Sequence, residues 1–247
     1  MSKSFFIITA CLLLVGCGSM FEPKADPTRF FVLSSMPEGD APSMDAIHCK
    51  GLILGIGIVE LPPYLNTQKI VTFSSTDEVV LSEFNRWAEP LDRGFVRVFA
   101  LNLQQLTGVQ QVEAYPWMQR DENDLEVFTE VHSFEAMPDG RVDLRVSWRI
   151  ATSRSTCLLA SGSDTFVARS DGSYPSIVTA MSTAVGLYSE AVARDLAKAA
   201  KSKLKFDLAC AEKMKAAPEG EDSTSEAASS AASDKKKDCG GCPDLVE

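Results

Sequence analysis

The sequence predicts an α+β fold, a two-layer sandwich in which two main helices pack against a mostly antiparallel sheet. Much of the region between residues 28 and 208 alternates apolar and polar residues, and this period of two is typical of strands. Two other segments repeat their apolar residues every three or four positions, as amphipathic helices do. Helices that cover one face of such a sheet leave the other face to water, so the combination predicts one two-layer domain.

The strand pattern is clearest in residues 125–132 and 142–150. Each segment alternates, and the Pro-Asp-Gly sequence between them is a turn signal, so together they predict an antiparallel hairpin. The same pattern predicts strands at residues 30–34, 52–59, 69–73 and 78–84. Residues 158–166 predict a further hairpin that turns at Ser161-Gly162-Ser163.

Two glycines, Gly55 and Gly57, fall on one face of the strand predicted at 52–59. A glycine face leaves room for another group close to the backbone, so we expect close packing there. The pair lacks the rest of a dinucleotide-binding fingerprint, because the residues that follow do not open a helix.

The first predicted helix covers residues 90–107, with Pro90 in its first turn and Gly108 at its end. Its buried stripe is predicted to be Leu91, Phe95, Val98, Phe99, Asn102, Leu103 and Leu106. The second helix is predicted from residue 175 to about residue 205, and its apolar face at a spacing of three and four is predicted to be Ile177, Met181, Ala184, Tyr188, Ala191 and Val192. It is rich in alanine, and small side chains allow a helix to pack closely on a sheet.

Composition and charge exclude several classes of function. Lys and Arg number 24 against 34 Asp and Glu, and the resulting net charge of -10 disfavours nucleic acid as a partner. His48 and His132 are the only histidines, so we expect no metal centre and no cofactor. His132 alternates outward on its strand beside Glu130, which predicts a surface or cross-strand histidine. No apolar run reaches the ~18–20 residues that cross a bilayer as a helix, which excludes a transmembrane transporter.

Motifs of enzymes are also missing from the sequence. It contains no P-loop, no His-Glu-x-x-His and no Gly-x-Ser-x-Gly. We therefore expect no catalytic residues and a protein that is not an enzyme.

The N-terminus has the layout of an export signal. Residues 1–16 contain a lysine, then an apolar stretch, and end with Gly16 directly before Cys17. The sequence Leu-Val-Gly-Cys at 14–17 resembles the bacterial lipobox. This resemblance implies that the sulfur of Cys17 is acylated and that acyl chains, palmitate among them, hold the protein to a membrane. The alternative is a secreted protein in which Cys17 forms a disulfide.

Composition divides the chain into four parts. Residues 1–16 are predicted to be a lipoprotein signal peptide, 17–27 a lipidated tether, 28–208 the α+β domain and 209–247 a polar tail. The tail is poor in aromatic and β-branched residues, so it cannot bury enough surface to offset its ordering entropy and is predicted to be disordered.

Five cysteines follow Cys17: Cys49, Cys157, Cys210, Cys239 and Cys242. An exported protein can form disulfides, and an odd number cannot all pair within one chain. Cys49 and Cys157 lie near predicted strands, either as thiols or as a bridge. Cys239 and Cys242 have the spacing of a redox or metal pair, but their place in the polar tail favours a local disulfide or two thiols.

Trp87, Pro90, Leu91 and Trp117 are the candidate partner contacts. Trp87 leads from a strand into the first helix, where it either packs at the helix entry or contacts a partner or a lipid. Trp117 follows Tyr115 and Pro116 at a strand end, where it either caps the core or faces a neighbouring subunit.

The lipobox, the Trp-Ala-Glu-Pro-Leu segment at 87–91 and the Val-Glu-Leu-Pro-Pro-Tyr-Leu segment at 59–65 resemble a known family. It is the ABC-type transport auxiliary lipoproteins of the PqiC/YmbA type. The resemblance implies a non-enzymatic lipoprotein component of an MCE-type intermembrane phospholipid transport system that supports envelope integrity. The implied partners are an MCE-domain periplasmic protein and its inner-membrane partner.

The family resemblance implies a protein anchored in the outer membrane on its periplasmic face. Gly18 rather than aspartate follows Cys17, which by resemblance to enterobacterial lipoprotein sorting also favours the outer membrane. We expect the sheet to dock the partner, with a ring of identical subunits as the assembly. One alternative is a periplasmic regulatory lipoprotein that activates a cell-wall or envelope-stress enzyme. Another is a thiol redox factor that uses Cys239 and Cys242.

Overall fold

The structure is a computed structural model of the chain. It describes residues 26–37, 51–75, 77–117, 123–153 and 157–216, with side chains as far as residue 209. The described part contains eight strands and two long helices: β1 (Arg29–Phe31), β2 (Ile53–Glu60), β3 (Lys69–Phe73), β4 (Val79–Trp87), α1 (Leu91–Thr107), β5 (Gln111–Ala114), β6 (Leu125–Ala136), β7 (Arg141–Thr152), β8 (Leu158–Arg169) and α2 (Tyr174–Ala216). A short 3-10 turn, Pro63–Leu65, lies between β2 and β3. The predicted α+β class is confirmed.

The eight strands form one mixed sheet with β6 at its centre. On one side β6 pairs with β7 and β7 with β8, in the two long antiparallel ladders that hold most of the paired residues. On the other side the first half of β6 runs parallel to β2, and its last residue, Ala136, meets Thr72 of β3. β5 then flanks β2, while β4 and β1 flank β3, so the sheet forks along β6.

The β6–β7 hairpin is the one predicted from the alternation. Val127 of β6 and Leu144, Val146 and Ile150 of β7 point toward the helices and are fully buried. Gly140 has φ 81°, the left-handed backbone that its turn requires and that glycine adopts without strain.

The helices cover one face of the sheet and close the core. The predicted stripe of α1 is buried: Leu91, Phe95, Val98, Phe99, Asn102, Leu103 and Leu106. Aromatic rings join the layers, since Phe99 stacks on Tyr188 of α2 with ring centroids 4.9 Å apart. Phe95 meets Phe134 of β6 edge to face at 6.0 Å.

Asn102 is the polar member of the α1 stripe, and its hydrogen bonds explain its burial. Its amide nitrogen donates to Oγ of Ser189 on α2 at 3.1 Å. Its oxygen accepts the backbone N–H of Met36 at 2.9 Å. A buried amide that is bonded in this way avoids the cost of unsatisfied polar atoms and links both helices to the segment after β1.

The helix ends follow the sequence signals. Pro90 immediately precedes α1, and Gly108 ends it with φ 69° and an N–H bond to the carbonyl of Gln104. α2 continues past the predicted end near residue 205 to Ala216, because alanine, leucine and lysine are strong helix formers. Residues 209–216 are therefore helical, and the remainder of the predicted tail lies outside the described residues.

The predicted hairpin at residues 161–163 is wrong, because β8 runs through it as one continuous strand. Gly162 is needed for packing and not for a turn: a Cβ there would lie 2.2 Å from Cζ2 of Trp148. β1 is also shorter than predicted and ends at Phe31. Beyond it the backbone bonds to helix side chains, since the carbonyl of Leu33 accepts from Arg97 and the N–H of Ser34 donates to Ser182.

Candidate docking surface

A groove of about 850 Å³ lies on the sheet face opposite the helices. Strands β2, β6, β7 and β8 form its floor, and the residues that follow β5 form one wall. Its larger side chains are Ile58, Tyr115, Trp117, Phe128 and Arg149. Two of them are strongly exposed, Ile58 at 56% and Tyr115 at 47%.

The two glycines of β2 create space for this groove. A Cβ on Gly57 would lie 2.7 Å from the Phe128 ring, so the ring rests directly on the strand. A Cβ on Gly55 would lie 2.4 Å from the amide of Asn123 and 3.1 Å from the Trp117 indole. The close packing predicted for these glycines is confirmed, and it places the Phe128 ring in the floor of the groove.

Charged groups lie around the Phe128 ring in the groove. The guanidinium of Arg149 lies 6.0 Å from the centre of the Phe128 ring, within range of a cation–π contact. Among the described residues Arg149 forms no salt bridge. Glu60 and Glu130 are register partners on neighbouring strands, so two carboxylates stand side by side at the groove.

At the start of β7, by contrast, the charged side chains pair with each other. Arg141 donates to Asp139 at 2.7 Å. Hydrogen bonds from the backbone and the side chain of Arg141 hold the pKa of Asp139 below its usual value. Arg141 is thus engaged within the chain, whereas Arg149 presents its charge to the groove.

Ser147, His132 and Glu130 lie together at the groove. His132 Nε2 is 3.0 Å from Oγ of Ser147, and its Nδ1 is 3.7 Å from a carboxylate oxygen of Glu130. The order of groups matches that of a hydrolase triad, but the side chains of His132 and Glu130 are 39% and 63% exposed. β7 is paired on both sides of Ser147, so its backbone N–H groups serve the ladders and offer no oxyanion hole. His132 is a surface cross-strand histidine, as the sequence predicts.

Trp117 is half-buried in the groove wall rather than a cap on the core. Its indole N–H donates to the carbonyl of Glu113 at 3.1 Å, and its ring meets that of Tyr115 edge to face at 5.7 Å. Both aromatic rings therefore face the groove, on the surface available to a neighbouring molecule.

Trp87, Pro90 and Leu91 lie elsewhere, at the corner between β4 and α1. Trp87 and Leu91 are each only 4% exposed, so they pack within the chain. Pro90 is exposed and lines a separate cleft of about 420 Å³ together with Leu91. The structure thus does not bring this corner together with Trp117, and a partner contact at the corner stays a prediction.

Cys17, the predicted signal peptide and most of the predicted tether lie outside the described residues, as do Cys49, Cys239 and Cys242. Cys157 is disulfide-bonded, which agrees with the bridge that the sequence left open for it.

Sequence reasoning did not single out Ile58, Phe128 or Arg149 as site residues. The alternation of β6 places Phe128 on the outer face, and the glycines opposite it signal close packing. The register that brings Phe128 onto Gly57 and Arg149 beside it depends on the order of the strands, which the alternation does not encode.

The surface can bind a partner through apolar and aromatic contact with a few polar groups at its edge. No three His, Cys, Asp or Glu side chains of the described residues stand close enough to hold a metal ion. Of the helices described, none combines the length and apolar character that a membrane crossing requires.

Comparison with known proteins identifies the family. A family model described as ABC-type transport auxiliary lipoprotein component matches residues 31–193. A solved structure described as an uncharacterized protein has a TM-score of 0.56 at 19% identity, over 68% of this chain and 98% of its own. Protein XCC0632 from Xanthomonas campestris, of the DUF330 family, has a TM-score of 0.57 at 12% identity, over 72% and 99% of the two chains.

These structural likenesses show a shared fold. No curated protein matches the sequence. The family model, however, spans more than half of the chain and nearly the whole sheet-and-helix domain. The chain therefore belongs to the family of ABC-type transport auxiliary lipoprotein components.

Proposed function

We propose that this chain is a non-enzymatic docking module of an MCE-type intermembrane phospholipid transport system, anchored in the outer membrane through acylated Cys17. Its partners in this proposal are an MCE-domain periplasmic protein and the inner-membrane partner of that protein, and its role supports envelope integrity. The observation that carries the proposal is the family match over residues 31–193. A ring of identical subunits is the proposed assembly.

Membership of a lipoprotein family of transport systems implies a membrane-anchored periplasmic protein that works with partners. Cys17 would supply the anchor, since several acyl chains at about 0.8 kcal/mol per buried CH₂ bind a membrane almost permanently. The tether of residues 17–27, at ~3.3–3.6 Å per extended residue, would let the domain stand roughly 35 Å from the membrane.

The groove supports the docking part of the proposal. Its exposed apolar residues, Ile58 and Tyr115, adjoin Trp117 and Phe128 and form a contiguous patch. Contiguous apolar surface with aromatic residues and arginine is typical of protein contacts. We therefore assign the contact with the MCE-domain protein to this groove, with Arg149 as its charged contact.

Recovery of partners from membranes tests the proposal. The full chain carries an affinity tag, is extracted in mild detergent, and the proteins and lipids that co-purify are identified by mass spectrometry. We expect an MCE-domain protein and phospholipid. The Ile58→Glu variant should lower recovery of the MCE-domain protein at least about tenfold, because it places a charge in the apolar contact.

Leu101→Glu is the matched control, since Leu101 is 44% exposed on α1, on the opposite layer. Recovery of a cell-wall synthase without any MCE-domain protein would overturn the proposal in favour of the regulatory alternative. Ester hydrolysis by the purified chain that is lost in Ser147→Ala would contradict the non-enzymatic part.

A further inference from the structure

Within the described residues, two strand edges on opposite sides of the sheet have no strand partner. β8 pairs only with β7, so its other edge has no strand partner among the described residues. β4 pairs with β1 only at residues 85–87, which leaves Val79–Leu81 unpaired on that side within the described part of the chain. Neither the β4 segment nor β8 contains a proline or lysine, the residues that commonly protect an edge from pairing.

Each edge exposes apolar side chains where the two would meet. On β4, Val79, Val80 and Leu81 are 39%, 43% and 47% exposed. On β8, Val167 is 44% exposed. An open edge that also exposes apolar side chains is a template for pairing with another strand.

The two edges lie at the same level of the sheet. One row of register partners crosses five strands: Val80, Thr72, Ala136, Val142 and Ala168. Strands β3, β6 and β8 run in one direction along that row, and β4 and β7 run in the other. β4 is therefore antiparallel to β8. A second copy placed beside the first in the same orientation would therefore bring its β4 edge against β8 as an antiparallel pair.

From this geometry we propose that β8 of one copy pairs with the Val79–Leu81 edge of β4 in the next copy, so that the sheet continues from subunit to subunit. Continuing the row sets Val80 opposite Ala168, Leu81 opposite Val167 and Val79 opposite Arg169. Leu81 and Val167 both lie on the sheet face opposite the helices, so in this register each would cover the other. The contact uses two different edges, and a contact of this kind closes a ring when the rotation from copy to copy adds up to a full turn.

Charge supports the same register. Asp77 lies two residues before Val79, diagonal to the position that Arg169 of the other copy takes on the same face. Diagonal neighbours across an antiparallel pair are within reach of long side chains. The opposite charges of Asp77 and Arg169 would thus favour this pairing over a slipped one.

This inference rests on the ring assembly in the proposed function and not on the identity of the transport partner. A photo-crosslinking residue at Leu81 of the full chain tests it, in cells that make isotopically light and heavy copies together. We expect mixed light–heavy crosslinks to the stretch around Val167. Within one copy the edges are four strand spacings apart, about 19 Å, so this product cannot form inside a single chain.

Two variants make the test quantitative by native mass spectrometry of the detergent-extracted chain. Leu81→Lys should abolish the oligomer and leave a folded monomer with an unchanged melting temperature, while Leu101→Lys should leave the oligomer intact. Asp77→Arg should weaken assembly about two- to fivefold, and Arg169→Asp in the same chain should restore it.

A monomer at every concentration, crosslinks to the chain's own N-terminal tether or to another protein, or an oligomer unaffected by Leu81→Lys would each overturn the interface. The outcomes separate from those of the proposed function. Recovery of the MCE-domain protein with a monomeric chain would overturn only the interface. A ring with the expected crosslink and no MCE-domain protein would overturn only the transport role.

Discussion

At the scale of single residues, glycine has different roles that the sequence does not distinguish. Gly162 stands between two serines, a pattern that signals a turn, yet it lies within β8 opposite Trp148. The indole occupies the place of a side chain at Gly162 and donates its N–H to Asp195 of α2 at 3.1 Å. The requirement for a residue without a Cβ becomes visible only when the partner strand, which carries Trp148, is known.

Gly162→Ala should destabilise the fold. The new Cβ would lie 2.2 Å from Cζ2 of Trp148, so the indole must shift and its bond to Asp195 must weaken. Overpacking of this kind costs about 1–3 kcal/mol, and chemical denaturation measures it as a lower free energy of unfolding. Ser163→Ala, next to it on the exposed face, is the control and should change the stability little. Equal stability of both variants would show that the indole does not lie against β8.

At the scale of elements, periodicity predicts which face of each helix is buried but not what that face meets. Tyr188 falls on the predicted face of α2 and is fully buried. Its hydroxyl and that of Thr129 on β6 form a hydrogen bond at 2.7 Å between helix and sheet. The spacing along α2 contains no information on this partner, because Thr129 is 59 residues away.

Tyr188→Phe should lower the free energy of unfolding at neutral pH by about 1–3 kcal/mol, since it leaves a buried hydroxyl unpaired on Thr129. It should also change the response to alkali. Burial raises the pKa of Tyr188 far above its usual value, and the bond to Thr129 only partly opposes this. The unfolded chain ionises near pH 10 while the folded chain stays neutral, so this group's contribution is present below pH ~10 and is lost as pH rises.

Urea unfolding at pH 9, 10 and 11 measures this effect. Above pH 10 the unfolding free energy of the parent chain should fall more steeply than that of Tyr188→Phe, by up to ~1.4 kcal/mol per pH unit. Parallel pH profiles for the two chains would contradict burial of a neutral Tyr188.

At the scale of the whole molecule, the sequence predicts the two layers and most of the elements but not the order of the strands. Alternation identifies the two faces of a strand and says nothing of its neighbours. Hence the fork of the sheet along β6, with β2 and β3 on one side, could not be read from the pattern. The groove could not be predicted from the sequence for the same reason, because Ile58, Phe128 and Arg149 are brought together only by the order of the strands.

The same order separates the predicted contact residues. Trp87 and Leu91 hold the corner between β4 and α1, whereas Trp117 lies on the groove wall. The sheet thus has one face covered by its own helices and one face that carries the groove, which is the proposed contact surface. The acylated cysteine proposed at the start of the tether would hold both near a membrane.

Intact-mass measurement of the full chain extracted from membranes tests the central claim, attachment of this domain to a membrane through Cys17. We expect a chain that starts at Cys17 and carries the added mass of a diacylglycerol and a further acyl chain, with Cys17→Ser unmodified and released from the membrane. A native chain that starts elsewhere, or that starts at Cys17 without any acyl mass, would contradict the account.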